Sequence, residues 1–236
     1  MKQEMIYGIR PVIEALKSGR RKVIEIFDAV GDEGVANAAS TRGVEIKRVS
    51  RQRADELARG GVHQGVVARV EPYPYSGLEE ILASPEPLIL VLDGVTDPRN
   101  LGAVLRAADA AGAGGVVIPK DRAVGVTAAA VKASAGASEH VRVARVTNLR
   151  RTVDTMKEAG LWVYAAEAGG TPYMELDLAG AVALVLGSEG RGVRRLVREG
   201  CDGTVSIPML GAVESLNVSV ACAVLLYEAR RSRGWP

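Results

Sequence analysis

Cysteine is almost missing from this chain: of 236 residues, only Cys201 and Cys222 carry a thiol. They have no metal-ligand spacing, and Cys222 lies inside an apolar run, so it reads as a small core residue. Histidine is as scarce, with two residues, and no His/Cys/carboxylate cluster suggests a metal; none is expected. No apolar run approaches the roughly 18 residues a membrane span needs. The first ten residues mix charges with single apolar side chains, unlike a secretory signal, so the cytoplasm is the expected compartment and no membrane partner is expected. Net charge is only +2, too little to announce a nucleic-acid binder by itself. There is no internal repeat and no low-complexity tract. The Gly112-Ala113-Gly114-Gly115 run precedes an apolar stretch instead of following one, which sets aside a dinucleotide-binding oxidoreductase.

What is present is the balance of a soluble globular protein, 47% hydrophobic and 25% charged, at a length comfortable for two domains. Residues 72–87, with Pro72, Pro74, Pro85 and Pro87, form the best linker. Before it, residues 1–71 hold 13 Lys/Arg against 10 Asp/Glu, including a cluster of Lys47, Arg48, Arg51 and Arg53. The pattern there predicts a helix over 11–17 and strands over 23–27, 44–49 and 66–70: a small α/β domain. After it, in 88–236, strands over 88–92, 116–118, 141–146, 161–165, 181–186 and 204–207 alternate with helices. Those helices fall over 101–111, 127–134 and 149–159, from about 193, and at the C-terminus. Such alternation indicates a mainly parallel sheet covered by helices on both faces, with its ligand outside the carboxyl ends of the strands.

Three blocks follow strand ends. The first, 93–106, runs from Asp93 through a turn at Asp97-Pro98 to Asn100 and then Arg106, an arginine among small apolar residues one to two helical turns from Asn100 and Gly102. The second, 186–192, has three glycines, Gly187, Gly190 and Gly192, which permit sharp turns and close backbone approach. It is not a P-loop, since no Gly-Lys-Ser/Thr follows. Glu189 would open a helix whose Arg191, Arg194, Arg195 and Arg198 share one face, a solvated surface or a phosphate rail. The third, 205–221, passes Ile207 and places Ser215, Leu216 and Asn217 before an apolar run that should be a buried helix. Each polar residue alone could be a cap or a turn; three such loops at one sheet edge point to a binding site. His63, isolated between Val62 and Gln64, reads as a surface or packing residue, with RNA contact as its other role.

With these residues in hand, the chain resembles the SpoU (TrmH-like) RNA ribose 2′-O-methyltransferases of the SPOUT superfamily. The three family motifs correspond to Asn-Leu-Gly-Ala-Val-Leu-Arg (100–106), Gly-Ser-Glu-Gly-Arg-Gly (187–192) and Ser-Leu-Asn-Val-Ser-Val-Ala (215–221). The stretches 7–16 and His63-Gln64-Gly65 resemble the N-terminal domain of the members that methylate a guanosine ribose in 23S ribosomal RNA. The resemblance implies a homodimer, a C-terminal trefoil knot, and an RNA-binding N-terminal domain. It implies S-adenosylmethionine as methyl donor, held by main-chain groups at Gly187, Ile207 and Leu216. It gives the active site Asn100, Arg106, Glu189, Ser215 and Asn217. The target stays open between 23S rRNA, another rRNA site and tRNA, and a non-enzymatic RNA-binding protein is the alternative of a different class.

Overall fold

Residues 88–93 (Leu-Ile-Leu-Val-Leu-Asp) can be covered on both faces only in the middle of a sheet, and that is where they lie. The computed structural model describes residues 3–188 and 190–234. In it β5 (Leu88–Asp93) is buried at every position. Leu88, Leu90 and Leu92 face one layer with Val104, Leu105, Leu225 and Leu226; Ile89 and Val91 face the other with Val153, Met156, Ala183 and Val185. The layers are built by α5 (Pro98–Ala110), β6 (Gly115–Pro119), α6 (Ala128–Ala133), β7 (Val143–Val146), α7 (Leu149–Glu158), β8 (Trp162–Pro172), β9 (Val182–Gly187), α8 (Arg195–Arg198), β10 (Gly203–Ser206) and α9 (Val218–Ser232). Strand order is β10-β8-β9-β5-β6-β7, with every pairing parallel. The strand carboxyl ends therefore share one edge.

The first sheet is smaller. It comprises β1 (Glu4–Tyr7), β2 (Val23–Asp28), β3 (Ile46–Arg48) and β4 (Val66–Val70), in the order β1-β4-β2-β3, with α1 (Ile9–Ser18), α2 (Glu33–Arg42) and α3 (Arg51–Ala58). The pattern reading misses β1, α2 and α3. Each offers little periodicity: only Ile6 of β1 is buried, only Val35 and Ala39 of α2, and only Ala54 and Ala58 of α3. Between the sheets, residues 72–87 carry α4 (Leu78–Leu82) and do not hang free. Tyr73 is buried and donates its hydroxyl to the Ser138 carbonyl at 2.9 Å. Tyr75 stacks edge-on against Tyr73, and Ser76 bridges to Ala144 beside β7.

Two expectations need correction. The helix expected from about Val193 is only the four residues of α8, so Arg191 and Arg194 lie outside it and the four arginines do not form one helical face. The C-terminal helix is not buried all round: Val220 and Tyr227 are 48% and 44% exposed. Cys222 is buried as expected, and burial pushes its thiol up to about 12.

α5 packs on α6 at Gly102, where an added Cβ would strike the Ala133 methyl and lie 2.6 Å from the Ala130 carbonyl oxygen. A rigid backbone oxygen cannot give way. Gly102→Val is expected to cost about 1–3 kcal/mol by overpacking, read as a lowered urea midpoint with an unchanged slope.

Candidate active site

The carboxyl ends of β8, β9 and β10 open into a cleft of about 780 Å³. Its walls come from three places. The turn after β9 supplies Gly187, Ser188, Arg191 and Gly192; the loop from β10 to α9 supplies Ile207, Met209, Ser215 and Leu216; β8 supplies Glu167 and Gly169. The β8 wall arises from a break in pairing. Thr204 pairs with Ala165, but the next residue, Val205, pairs with Thr171, so residues 166–170 loop out of the sheet. Ser206 closes that loop by donating its hydroxyl to the Gly170 carbonyl at 2.7 Å. Sequence reasoning did not identify this wall. Its one signal is Gly169-Gly170 just past an apolar strand.

The turn after β9 is held against the strand itself. Gly187 has no room for a Cβ, which would collide with the Gly192 carbonyl carbon and the Val193 nitrogen. Gly190 and Gly192 have φ of 78° and 63°, the left-handed region where glycine carries no steric penalty. Ser188 and Gly192 pair across the turn, and the Gly192 N–H donates to the Ser188 carbonyl at 2.9 Å. Asp93, buried at the end of β5, fixes the far side: it accepts from the Arg194 backbone N–H at 2.8 Å and from Arg194 Nε at 2.7 Å. Arg194 is thereby committed to structure.

Of the residues singled out in the sequence, Gly187, Ile207, Leu216 and Ser215 line the cleft. Asn217 caps α9, its side-chain oxygen accepting from the Ser219 N–H at 2.9 Å. Its amide donates to the Asn100 side-chain oxygen at 3.1 Å, joining the first and third blocks across 117 residues of chain. Arg106 is exposed on α5 and is not part of the cleft wall. Glu189 lies outside the described residues. Arg191 lines the cleft, while Arg195 pairs with Glu199 at 2.7 Å and Arg198 with Glu167. The same holds for most of the first domain's cluster, where Lys47 pairs with Glu25, Arg48 with Asp28 and Arg53 with Glu56. His63 is 5% exposed; Nδ1 accepts from the Gly65 N–H at 3.0 Å and Nε2 contacts Asp55 at 2.8 Å. Both ring nitrogens are thus used in holding its own turn.

An all-parallel sheet whose strand-end loops enclose a cleft of about 780 Å³ has the form of an α/β domain that binds a small molecule at its carboxyl edge. Residues 87–227 match the SpoU rRNA Methylase family and residues 5–76 match the RNA 2′-O ribose methyltransferase substrate-binding family; the chain belongs to the SpoU rRNA methylase family. It is 46% identical to the Escherichia coli (strain K12) 23S rRNA (guanosine-2′-O-)-methyltransferase RlmB over 241 residues, 98% of this chain and 99% of that protein. Among solved structures, the SpoU methyltransferase AviRb from Streptomyces viridochromogenes, in complex with AdoMet, matches at a TM-score of 0.83 and 26% identity, covering 98% of this chain and 90% of that one. An AdoMet-bound rRNA methyltransferase from Sinorhizobium meliloti matches at 0.83 and 30%, covering 97% and 87%.

Removing the Asp93 carboxylate leaves the Arg194 N–H without its acceptor. Asp93→Ala should cost about 1–3 kcal/mol for the lost buried acceptor. It should also speed amide exchange selectively at Gly192 and Arg194, with β5 and β6 still protected.

Proposed function

We propose that this protein transfers a methyl group from S-adenosylmethionine to the 2′-hydroxyl of a guanosine ribose in 23S rRNA. The observation that carries the reading is the cleft at the carboxyl ends of β8, β9 and β10, in a chain of this family. Its volume, about 780 Å³, falls within the range of small-molecule sites, roughly 300–1,000 Å³. The glycine-rich turn lets main chain approach a ligand closely. In this reading residues 88–236 hold the donor, residues 1–71 present the RNA, and residues 72–87 join them. Main-chain groups at Gly187, Ile207 and Leu216 hold the donor, whose sulfonium makes its methyl group electrophilic.

The chain's own task is then to place the ribose oxygen in line and ease the loss of its proton. Arg106 binds an RNA phosphate and polarises the hydroxyl. A guanidinium keeps its proton, so the hydroxyl proton leaves late and Arg106 is not a neutral base. Asn100 and Glu189 fix Arg106 and the ribose, while Ser215 and Asn217 order the loop around the donor. No metal is required. Arg106 lies away from the cleft wall of its own protomer, which supports a homodimer. The exposed apolar residues Val220 and Tyr227 of α9, a helix packed on α5, fit that interface. A C-terminal trefoil knot accords with the crowding at Gly187, where Gly192 and Val193 lie against the end of β9.

Incubation with labelled donor and unmodified total RNA should place label in one guanosine ribose of 23S rRNA; label confined to tRNA would refute the rRNA assignment. Arg106→Ala should lower turnover on the order of 10²-fold or more while calorimetry finds donor affinity nearly unchanged. A parallel loss of donor binding would assign Arg106 a different role.

A further inference from the structure

The two sheets meet along a seam that is polar where it is most buried. Arg21, in the turn between α1 and β2, is 4% exposed, and Glu139, in the 3-10 turn Ala137–Glu139 after α6, is 1% exposed. They form a two-point pair, Nε to Oε2 at 3.0 Å and Nη2 to Oε1 at 2.5 Å. The Arg21 guanidinium also lies 5.6 Å from the centre of the Tyr73 ring. Three further links cross the same seam. Arg20 donates to the Val141 carbonyl at 2.7 Å, His140 Nε2 meets Glu14 at 2.9 Å, and Lys132 of α6 donates to the Gln64 side-chain oxygen at 2.5 Å.

A buried ion pair is a poor way to gain stability, because desolvation of both ions offsets most of their attraction. Its distinctive property is geometric. A guanidinium and a carboxylate in parallel two-point contact tolerate little rotation or sliding. An apolar contact of the same area would hold the units together without fixing their angle so closely. The packing on either side transmits that angle. At Gly136 an added Cβ would lie 2.7 Å from Glu14 Cβ and 3.2 Å from the Pro11 Cα, so α1 rests directly on the main chain of the seam. On the far side α6, which leads into Gly136, abuts Gly102 of α5, where there is no space for a side chain. Asn100 and Arg106 are on α5. From α1 to α5 there are two glycine contacts and one short helix, with no compliant layer between.

We propose that Arg21 and Glu139 are positioning residues: their buried pair sets the orientation of the first domain relative to α5, and so sets where bound RNA meets the methyl-transfer site. This rests on the reading of residues 1–71 as the RNA-presenting unit. It differs from that reading in assigning a fixed angle to the unit and a specific pair of side chains that fixes it.

The test uses the full-length protein and two variants, Glu139→Gln, which keeps shape and removes charge, and Gly136→Ala, which keeps both members of the pair but strains the turn that carries Glu139, because Gly136 has φ 92° and its carbonyl accepts from the Glu139 N–H. With in vitro transcribed 23S rRNA, well below each variant's Tm, KM for RNA should rise at least about fivefold, the lower end of ordinary inter-site coupling. Donor affinity should stay unchanged. Amide exchange should increase in α1 and residues 134–141 while β5 stays protected. A lowered Tm with KM for RNA unchanged would overturn the proposal, since the pair would then be structural only. So would exchange that rises throughout β5. Failure of the underlying reading looks different: wild-type protein would leave 23S rRNA unlabelled. In that case the exchange data alone decide the pin, and unchanged protection of the seam in Glu139→Gln would overturn it.

Discussion

The crowding at Gly187 governs the rest of the catalytic half. Main chain at Gly192 and Val193 lies against the last residue of β9, and only glycine can stand there. Once that contact is made, the turn between them must fold back on the strand. Asp93, on the neighbouring β5, then receives the Arg194 backbone as it leaves. The cleft is the space left on the other side of this fold-back. Its remaining walls, residues 166–170 and the β10–α9 loop, are brought to it by the parallel sheet, which delivers every strand end to one edge. Asn217 secures the last of these by capping α9 and reaching Asn100 together.

The arginines of the chain divide by burial and partner. Arg194 and Arg21 are committed to buried carboxylates, Asp93 and Glu139, and organise backbone. Arg48 likewise meets a buried carboxylate, Asp28, whereas Arg195 and Arg198 meet acids at the surface, where ion pairs contribute little. Arg106 and Arg191 have no hydrogen bond or ion pair among the described residues.

The second domain was largely legible because fully buried parallel strands announce themselves as continuous apolar runs, as at 88–92 and 181–186. The strand-end loops singled out by their glycine and serine residues then outlined the cleft: Gly187, Ile207, Ser215 and Leu216 do line it. What escaped the pattern was whatever depends on contacts distant in sequence. The loop at 166–170 exists because β10 skips along β8, which no local pattern records. The short α8 looked long because Arg191, Arg194, Arg195 and Arg198 happen to fall at helical spacings, yet Asp93 pulls Arg194 out of that helix. β1, α2 and α3 bury one or two residues each, too few to mark a period. The seam was hidden because Arg21 and Glu139 are separated by 118 positions.

The Asn217–Asn100 bond has a consequence for how the molecule comes into being. It and the Asp93–Arg194 contact join residues 117 and 101 positions apart. Contacts of such separation form late, since a long loop must close before they are rewarded. As the chain emerges from its N-terminus, the first sheet and the β5–β7 half of the second are available well before β9, β10 and α9 exist. The small sheet is complete while there is still no cleft. Loss of even the last helix would leave Asn217 with nothing to cap and loosen its tie to Asn100, so that the site stays unfinished.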